Sequence, residues 1–168
     1  TKENDFKKVI INISKNMKSK KIIIGSDHAG FELKEDIKKF LTQLGYDCED
    51  IGVFNKEPAD YPQTALKVAK KVVQTDSKGI LMCGSGLGEA IVANKVKGIR
   101  AANCFNEYTA INSREHNNSN LLCLGARILK NDEAKKITKI WLSTNFSNEE
   151  RHKRRVKQIK EIEEKICR

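Results

Sequence analysis

The residues best suited to proton transfer lie in loops that follow predicted strands. His28 and His116 are two of the three histidines in the chain, and each lies beside other polar residues in such a loop. A histidine titrates near neutrality, so it can pass a proton to or from a substrate oxygen. A lone histidine is more often a hydrogen-bonded or solvated side chain, but two of them placed beyond strand ends favour a catalytic role.

A second chemical feature is a glycine-rich loop, residues 84–88, which follows Cys83 and enters a predicted helix near Glu89. Exposed backbone N–H groups in such a turn bind anions or a developing oxyanion. A thiol between a strand end and a helix N-terminus can have a lowered pKa and react as a thiolate. The loop lacks the Lys-Ser/Thr ending of a P-loop, and a tight turn beside a buried cysteine is the alternative interpretation.

Five short runs of mainly apolar residues are predicted as strands. Continuous apolar runs of this length are typical of strands that are buried on both faces of a parallel sheet. The runs cover residues 21–25, 46–51, 79–83, 99–105 and 121–125, and the run at 46–51 is the weakest. Ligands of such a sheet bind beyond the carboxyl ends of its strands, which is where the loops described above are predicted to lie.

Stretches with helical periodicity separate the strands. Apolar residues recur at helical spacing over residues 33–44, 65–73, 134–141 and 156–166, and Gly45 ends the first stretch. The alternation predicts βαβ units in an α/β fold with right-handed crossovers. Residues 1–16 are predicted to be an N-terminal extension of unknown role, in which 6–13 could form an edge strand, and residues 17–168 to be a single domain.

The composition fits a globular protein, and its excess of basic residues is compatible with an anionic small substrate, with nucleic acid or with a general lysine-rich bias, which best explains most of the lysines. The chain has 168 residues, 39% of them hydrophobic, and a net charge of +10. Its lysines are spread along the chain and do not cluster with aromatic residues, which makes nucleic-acid binding the weakest hypothesis. The five cysteines have no metal-binding or redox spacing, and no apolar run is long enough to span a membrane. We therefore predict a cytoplasmic protein with free thiols, no metal and no cofactor.

The loops resemble those of ribose-5-phosphate isomerase B, a family that also includes galactose-6-phosphate isomerase subunits. The matching motifs occur in family order from about residue 17 onward. They are G-S-D-H-A-G-F from Gly25, D-Y-P at 60–62, C-G-S-G-L-G from Cys83, A-N-K at 93–95, G-I-R-A at 98–101, S-R-E-H-N-N from Ser113, G-A-R at 125–127 and R-H-x-x-R at 151–155.

This resemblance implies a Rossmann-like three-layer α/β/α sandwich around a five-stranded parallel sheet. It implies interconversion of ribose 5-phosphate and ribulose 5-phosphate, a step of the non-oxidative pentose phosphate pathway, through ring opening and an enediolate. It also implies a homodimer, sometimes paired into a tetramer, with each active site shared between two chains. A six-carbon 6-phosphate of allose or galactose is the alternative substrate, and a non-catalytic sugar-phosphate-binding module is the rival function.

The matching motifs further imply which residues carry the reaction. Asp27 lines the sugar, and His116 helps to open the furanose ring. Family members with a cysteine at position 83 use it as the base that takes the C2 proton, whereas members with a glycine there use a glutamate just after the glycine-rich loop. This chain has both Cys83 and Glu89, so the base stays open between them, and Ser85 could steady a thiolate by a hydrogen bond.

The remaining site residues are predicted to bind the substrate. Arginine suits a phosphate group because its planar guanidinium forms paired hydrogen bonds with the phosphate oxygens. In a shared site, Asp27 and Cys83 of one chain are expected to work with His116 and Arg127 of the other. The implied binding set is His28, Tyr61, Gly84, Gly86, Gly88, Asn117, Arg127, Arg151, His152 and Arg155.

Overall fold

A computed structural model describes residues 21–166 of the chain. The predictions for residues 1–16, including the edge strand at 6–13, lie outside the described residues, as does Cys167. Within residues 21–166, no helix has the length and apolar character that are needed to cross a membrane.

Five parallel strands form a single sheet in the order β2-β1-β3-β5-β4. The strands are β1 Lys21–Ser26, β2 Asp47–Asp50, β3 Lys78–Cys83, β4 Ala101–Asn103 and β5 Leu121–Gly125. Strands β1, β3 and β5 occupy the centre of the sheet, and their sequences are the continuous apolar runs that predicted burial on both faces. The predicted five-stranded parallel sheet is confirmed.

Six helices surround the sheet in the described part of the chain. They are α1 Phe31–Gln43, α2 Tyr61–Thr75, α3 Leu87–Ala93, α4 Glu107–Glu115, α5 Asn131–Ser143 and α6 Glu150–Ile166. Helices α1, α4 and α5 pack on one face of the sheet, and helices α2 and α3 pack on the other. The predicted Rossmann-like three-layer α/β/α sandwich is therefore confirmed.

Successive residues of β1 face the two helical layers in turn. Ile22 and Ile24 pack with α1 and α5, whereas Ile23 packs with α2. All three side chains are at most 2% exposed, so the burial of each contributes about 1.5–3 kcal/mol. The sheet is thereby held between two apolar layers, and the loops at its edges start from well-defined positions.

The edge strand β4 is shorter than the predicted run at 99–105. The side-chain amide of Asn94 covers its outer edge, because it accepts from Ala101 N–H at 2.9 Å and donates to the Ala101 carbonyl at 3.0 Å. After the strand, Phe105 N–H already donates to the Thr109 hydroxyl in α4 at 3.2 Å. Side-chain hydrogen bonds from Asn94 and to Thr109 therefore accompany the two ends of this short strand.

Helix α6 leaves most of its apolar face exposed in a single chain. His152 is its only buried residue among those described, and Ile159 and Ile162 are 42% and 57% exposed. Val73 was predicted to face the core from α2, but it is 43% exposed and lines the same groove as Ile159. The apolar spacing of α6 predicted the helix correctly and did not indicate whether the chain buries that face itself.

Candidate active site

The carboxyl ends of β1, β3 and β5 bring three loops together at one edge of the sheet, which we call the carboxyl edge. Asp27 N–H donates to the Met82 carbonyl at 3.2 Å, which joins the β1 loop to the end of β3. Ala126 N–H donates to the Cys83 carbonyl at 2.8 Å, which joins the β5 loop to the same point. The predicted site residues that meet there are Asp27, His28, Tyr61, Cys83, Gly84, Ser85, Gly86, Gly88, Glu89 and Arg127.

The β1 loop holds Asp27 and His28 in place. Gly30 N–H donates to Asp27 Oδ1 at 2.9 Å, and a Cβ atom on Gly30 would lie 2.0 Å from the Met82 carbonyl oxygen, so only glycine fits there. The Ala59 backbone engages His28 Nδ1, with its nitrogen at 3.1 Å and its carbonyl oxygen at 3.2 Å. Nε2 is therefore the ring nitrogen that is left for a ligand.

The glycine-rich loop packs closely against two side chains of the predicted binding set. A Cβ atom on Gly88 would lie 2.6 Å from the Tyr61 ring, so the ring covers that part of the loop. The guanidinium Nη1 of Arg127 lies 3.3 Å from the position that a Cβ atom on Gly84 would take. Arg127 thus lies with the Cys83 loop of its own chain at the carboxyl edge, whereas the sequence analysis expected it to join Cys83 from the other chain together with His116.

The backbone of the loop is directed at the Cys83 sulfur. Gly86 adopts φ +79°, and its N–H donates to Cys83 Sγ at 3.0 Å. An N–H group in this position stabilises a thiolate. Gly86 was predicted to bind the substrate, but its N–H donates to the Cys83 sulfur instead. Gly84 and Gly88 remain the predicted donors to the substrate.

The pKa of Cys83 is raised, which contradicts the lowered pKa expected from its place beside a helix N-terminus. Burial raises the pKa of the Cys83 thiol and the Glu89 carboxylate raises it further, while the backbone N–H groups of Gly86, Ser85 and Glu89 lower it. Because the side chain is only 4% exposed, the loss of hydration outweighs these donors. The thiolate is accordingly the minor form near neutral pH.

Glu89 points into the protein from the first turn of α3. It is fully buried, and within residues 21–166 neither of its carboxyl oxygens has a hydrogen-bond partner. Burial raises the pKa of Glu89 well above its usual range, and the nearby Asp27 carboxylate raises it further. Glu89 therefore favours the neutral carboxylic acid and lies close enough to Cys83 for the two groups to affect each other's titration.

Ser85 does not steady the Cys83 thiolate through its hydroxyl group, as the sequence had led us to expect. The side chain is exposed, and Oγ accepts a hydrogen bond from Leu87 N–H at 3.3 Å. The hydroxyl thus satisfies the N–H of the first residue of α3, which has no partner within the helix. Ser85 reaches Cys83 through its backbone N–H instead.

His116 lies at the opposite, amino-terminal edge of the sheet, although the sequence grouped it with the loops at the carboxyl edge. Helix α4 begins after the end of β4 and runs back along the sheet, so its last residue leads to the start of β5. Asn120 fixes this point, because its carbonyl accepts from Gly79 N–H at 2.9 Å beside the start of β3. A helix of nine residues is roughly 13 Å long, which separates His116 from Cys83 of the same chain.

A second cluster of predicted site residues surrounds His116 at this amino-terminal edge. The His116 and His152 rings lie 4.2 Å apart between centroids, and Ser147 Oγ lies 2.7 Å from His152 Nδ1. Burial lowers the pKa of His152, and the neighbouring His116 and Arg151 lower it further. The other predicted members, Asn117, Arg151 and Arg155, have exposed side chains. One chain therefore holds the predicted site as two separate halves.

Comparison with known proteins identifies the family. The family model described as Ribose/Galactose Isomerase matches residues 22–159. The chain belongs to the ribose/galactose isomerase family. Ribose-5-phosphate isomerase B of Escherichia coli K12 is 42% identical over 147 residues, which make up 87% of this chain and 98% of that protein.

Solved structures of the ribose/galactose isomerase family share the fold described above. Ribose-5-phosphate isomerase B of Clostridium thermocellum is 49% identical, with a TM-score of 0.84 over 86% of this chain and 98% of that one. The enzyme of Mycoplasma genitalium, solved with bound ribulose-5-phosphate, is 39% identical, with a TM-score of 0.82 over 86% of this chain and 96% of that one. The residues matched by the family model, 22–159, include both halves of the site.

Two arginines that shape the His116 half of this ribose/galactose isomerase site were not singled out in the sequence. Arg100 Nε donates to the carbonyls of Asn117 and Asn118, each at 3.0 Å. Arg114 donates to the Asn118 side chain at 3.0 Å and to the Thr144 carbonyl at 3.1 Å. Both lie inside motifs of the resemblance, G-I-R-A and S-R-E-H-N-N, which was the available signal. Their guanidinium groups fix the loop that presents His116.

Proposed function

We propose that this member of the ribose/galactose isomerase family interconverts ribose 5-phosphate and ribulose 5-phosphate. The observation that carries the proposal is Cys83 at the end of β3, with Gly86 N–H on its sulfur and Asp27 and Glu89 beside it. Binding alone would need no such base, whereas aldose–ketose isomerisation requires removal of the C2 proton. The relatives support the same substrate. Those of E. coli and C. thermocellum are named ribose-5-phosphate isomerase B, and the M. genitalium enzyme was solved with bound ribulose-5-phosphate.

The carboxyl edge carries the proton transfer in this proposal. Cys83 takes the proton from C2, and its thiolate is held by Gly86 N–H. Free N–H groups of the glycine-rich loop stabilise the enediolate in a site from which Tyr61 helps to exclude water. Return of the proton to C1 completes the conversion without a net change in oxidation state. Asp27 and His28 position the sugar from the β1 loop.

A second copy of the chain completes the site by supplying the amino-terminal half. His116 lies too far from Cys83 of its own chain to act on the same sugar, so we propose a homodimer in which each site combines both halves. Apolar side chains around the carboxyl edge support an interface there, because they are more than half exposed in one chain. These side chains are Leu87, Ile91, Phe105, Tyr108 and Ile128.

We also propose a reducing cytosolic location and an anionic substrate. The four described cysteines, Cys48, Cys83, Cys104 and Cys123, are free thiols, which persist in a reducing compartment. The net charge of +10 favours the approach of a sugar phosphate over that of a neutral sugar.

The phosphate is expected to bind Arg151 and Arg155 at the start of α6. Each of the substitutions Arg151→Ala and Arg155→Ala should remove about 1–3 kcal/mol of charge-assisted hydrogen bonding, which appears mainly as a higher KM for ribose 5-phosphate. Lys153→Ala is the matched control, because Lys153 lies between them on the same helix and pairs with Glu150; it should change KM little. Equal effects at all three positions in steady-state assays would indicate a diffuse basic field and contradict a specific phosphate clamp.

The direct test of the function is an assay of the purified protein against ribose 5-phosphate, allose 6-phosphate and galactose 6-phosphate. We expect the highest kcat/KM with ribose 5-phosphate, and we expect this activity to survive EDTA. Within residues 21–166, no group of three or more His, Cys, Asp or Glu side chains is arranged to hold a metal ion. A preference for a six-carbon substrate would support the alternative isomerase, and binding without turnover of any of the three would support a non-catalytic module. Loss of activity in EDTA that a divalent ion restores would contradict the metal-free mechanism.

A further inference from the structure

A lysine is completely buried behind the carboxyl edge, where the proposed reaction makes no use of it. Lys34, in the first half of α1, is 0% exposed. Its Nζ donates to both carboxylate oxygens of Asp50, at 2.8 and 2.7 Å, and lies 5.0 Å from the centre of the Phe54 ring. Burying an ammonium group is costly unless it is paired in this way, so such a group calls for a specific explanation.

Asp50 connects Lys34 to the backbone that leaves the edge strand β2. Asp50 Oδ1 accepts from Gly52 N–H at 2.9 Å. The Gly52 carbonyl accepts from Ser26 N–H at 2.6 Å, and Val53 N–H donates to the Ser26 carbonyl at 2.9 Å. Ser26 directly precedes Asp27 and His28 in the chain. A continuous set of hydrogen bonds therefore runs from Lys34 to the start of the β1 loop.

The far end of the same segment also reaches the active site. Residues 51–60, which we call the β2 exit loop, leave β2 at Asp50 and end at Tyr61, the first residue of α2. Near its end, the Ala59 backbone engages His28 Nδ1, and the Tyr61 ring then covers Gly88. The position of this loop determines how His28 and Tyr61 are placed against the glycine-rich loop.

We propose that Lys34 is a positioning residue of the isomerase, which orients Asp50, fixes the β2 exit loop and thereby sets the positions of His28 and Tyr61. This inference rests on the proposed function and adds to it a residue that acts from inside the protein. Because Lys34 is fully buried, it acts through Asp50 and does not touch the substrate. Burial raises the pKa of Asp50, but the bonds from Lys34, Lys38 and Gly52 outweigh burial and lower it, so the carboxylate is charged when it holds the loop.

Lys38 supplies a matched control from the same cluster. Its Nζ also donates to Asp50 Oδ2 at 2.7 Å, and it donates to Glu35 at 2.8 Å. Its side chain is 30% exposed, so water can replace its bonds when it is removed. Lys34 has no such access to water. Removal of Lys34 should therefore leave Asp50 Oδ1 without a lysine partner, whereas removal of Lys38 should leave both oxygens of Asp50 bound to Lys34.

The test compares Lys34→Met and Lys38→Met with the wild-type protein by ¹H–¹⁵N spectra of the histidine rings, without substrate. Lys34→Met should shift the His28 ring signals and leave those of His116 and His152, at the opposite edge, in place. Lys38→Met should leave all three unchanged. In steady-state assays, Lys34→Met should lower kcat/KM for ribose 5-phosphate by about 10-fold to 100-fold, the scale expected for a misplaced binding loop. Lys38→Met should change it by no more than about twofold.

The proposal would be overturned if the His28 signals do not shift in a folded Lys34→Met protein. It would also be overturned if the signals of all three histidines shift equally, because equal shifts indicate general destabilisation. If Lys34→Met does not fold, the double substitution Lys34→Met/Asp50→Leu removes both buried charges and should restore folding. The His28 signals should still shift in this variant, because Gly52 N–H has lost its acceptor; wild-type signals and wild-type kcat/KM would overturn the proposal. The spectra need no substrate, so an inactive wild-type protein would contradict the proposed function and leave this structural test intact.

Discussion

Cys83→Ala should lower kcat for ribose 5-phosphate by about 10²–10⁴-fold, the usual effect of losing a general base. Cys83 ends β3 and is held by Gly86 N–H at 3.0 Å, so its sulfur has a defined direction toward the carboxyl edge. Glu89 is buried, carries no hydrogen-bond partner among the described residues and favours its neutral form. Both groups are mainly protonated near neutral pH, so their charge state does not choose between them. The place of Cys83 at the end of β3, directly before the glycine-rich loop, favours it as the base. Steady-state kinetics at saturating substrate measure the loss.

The pH dependence separates the roles of the two residues. Because the pKa of Cys83 is raised, the thiolate fraction and kcat/KM should rise with pH through that pKa, and little of the thiolate should exist well below it. Glu89 raises the Cys83 pKa when it is ionised. Glu89→Gln removes this effect, so the rise should move to lower pH if Glu89 loses its proton before Cys83 does. The cost in kcat should be much smaller than that of Cys83→Ala. Rate profiles of the wild-type and Glu89→Gln proteins test this directly.

Two controls test whether the loss of activity is specific to Cys83. Cys104→Ala removes another buried thiol, in the core beyond β4, and should leave kcat near wild type. Iodoacetamide should inactivate the wild-type protein faster as the pH rises, and bound substrate should slow the inactivation. If Cys83→Ala retains nearly full activity while Glu89→Gln is inactive, the glutamate is the base.

Mixing two inactive variants, Cys83→Ala and His116→Ala, should restore activity. His116 lies at the amino-terminal edge of the sheet and Cys83 at the carboxyl edge, so a site that needs both must combine two chains. In a mixed dimer, the Cys83 of one chain and the His116 of the other form one intact site. After full subunit exchange, about half of the dimers are mixed and about a quarter of the wild-type activity returns. Enzyme assays before and after exchange measure this recovery.

The exchange experiment has an internal control. Mixing Cys83→Ala with Glu89→Gln tests two residues from the same half of the site. A mixed dimer of these two variants leaves each site with one altered residue, so its activity should be the mean of the two separate variants. If mixed dimers of Cys83→Ala and His116→Ala are demonstrated by mass spectrometry and remain inactive, the shared site is wrong.

The central sheet could be predicted from the sequence because its signal is local. Strand β5 Leu121–Gly125 coincides with its predicted run, and β1 and β3 differ from theirs by one residue. A strand that is buried on both faces must be apolar throughout, and this requirement is visible in the strand itself. The length of β4 was missed because it depends on the Asn94 amide, which meets Ala101 only in the folded chain. The sequence signal for the buried Lys34 is weaker: it is a lysine on the apolar face of α1, three residues before Ile37.

The sequence indicated which residue types are suited to the chemistry, since each motif is a short local pattern. Their grouping and their charge states depend on the packed fold. The direction of α4 carries His116 to the far edge of the sheet, a consequence of helix packing that no loop motif contains. Burial is the largest cause of the raised pKa values of Cys83 and Glu89, and burial depends on residues distant in the sequence. Position across the sheet and loss of hydration are properties of the packed fold, so they could not be inferred from the spacing of residues along the chain.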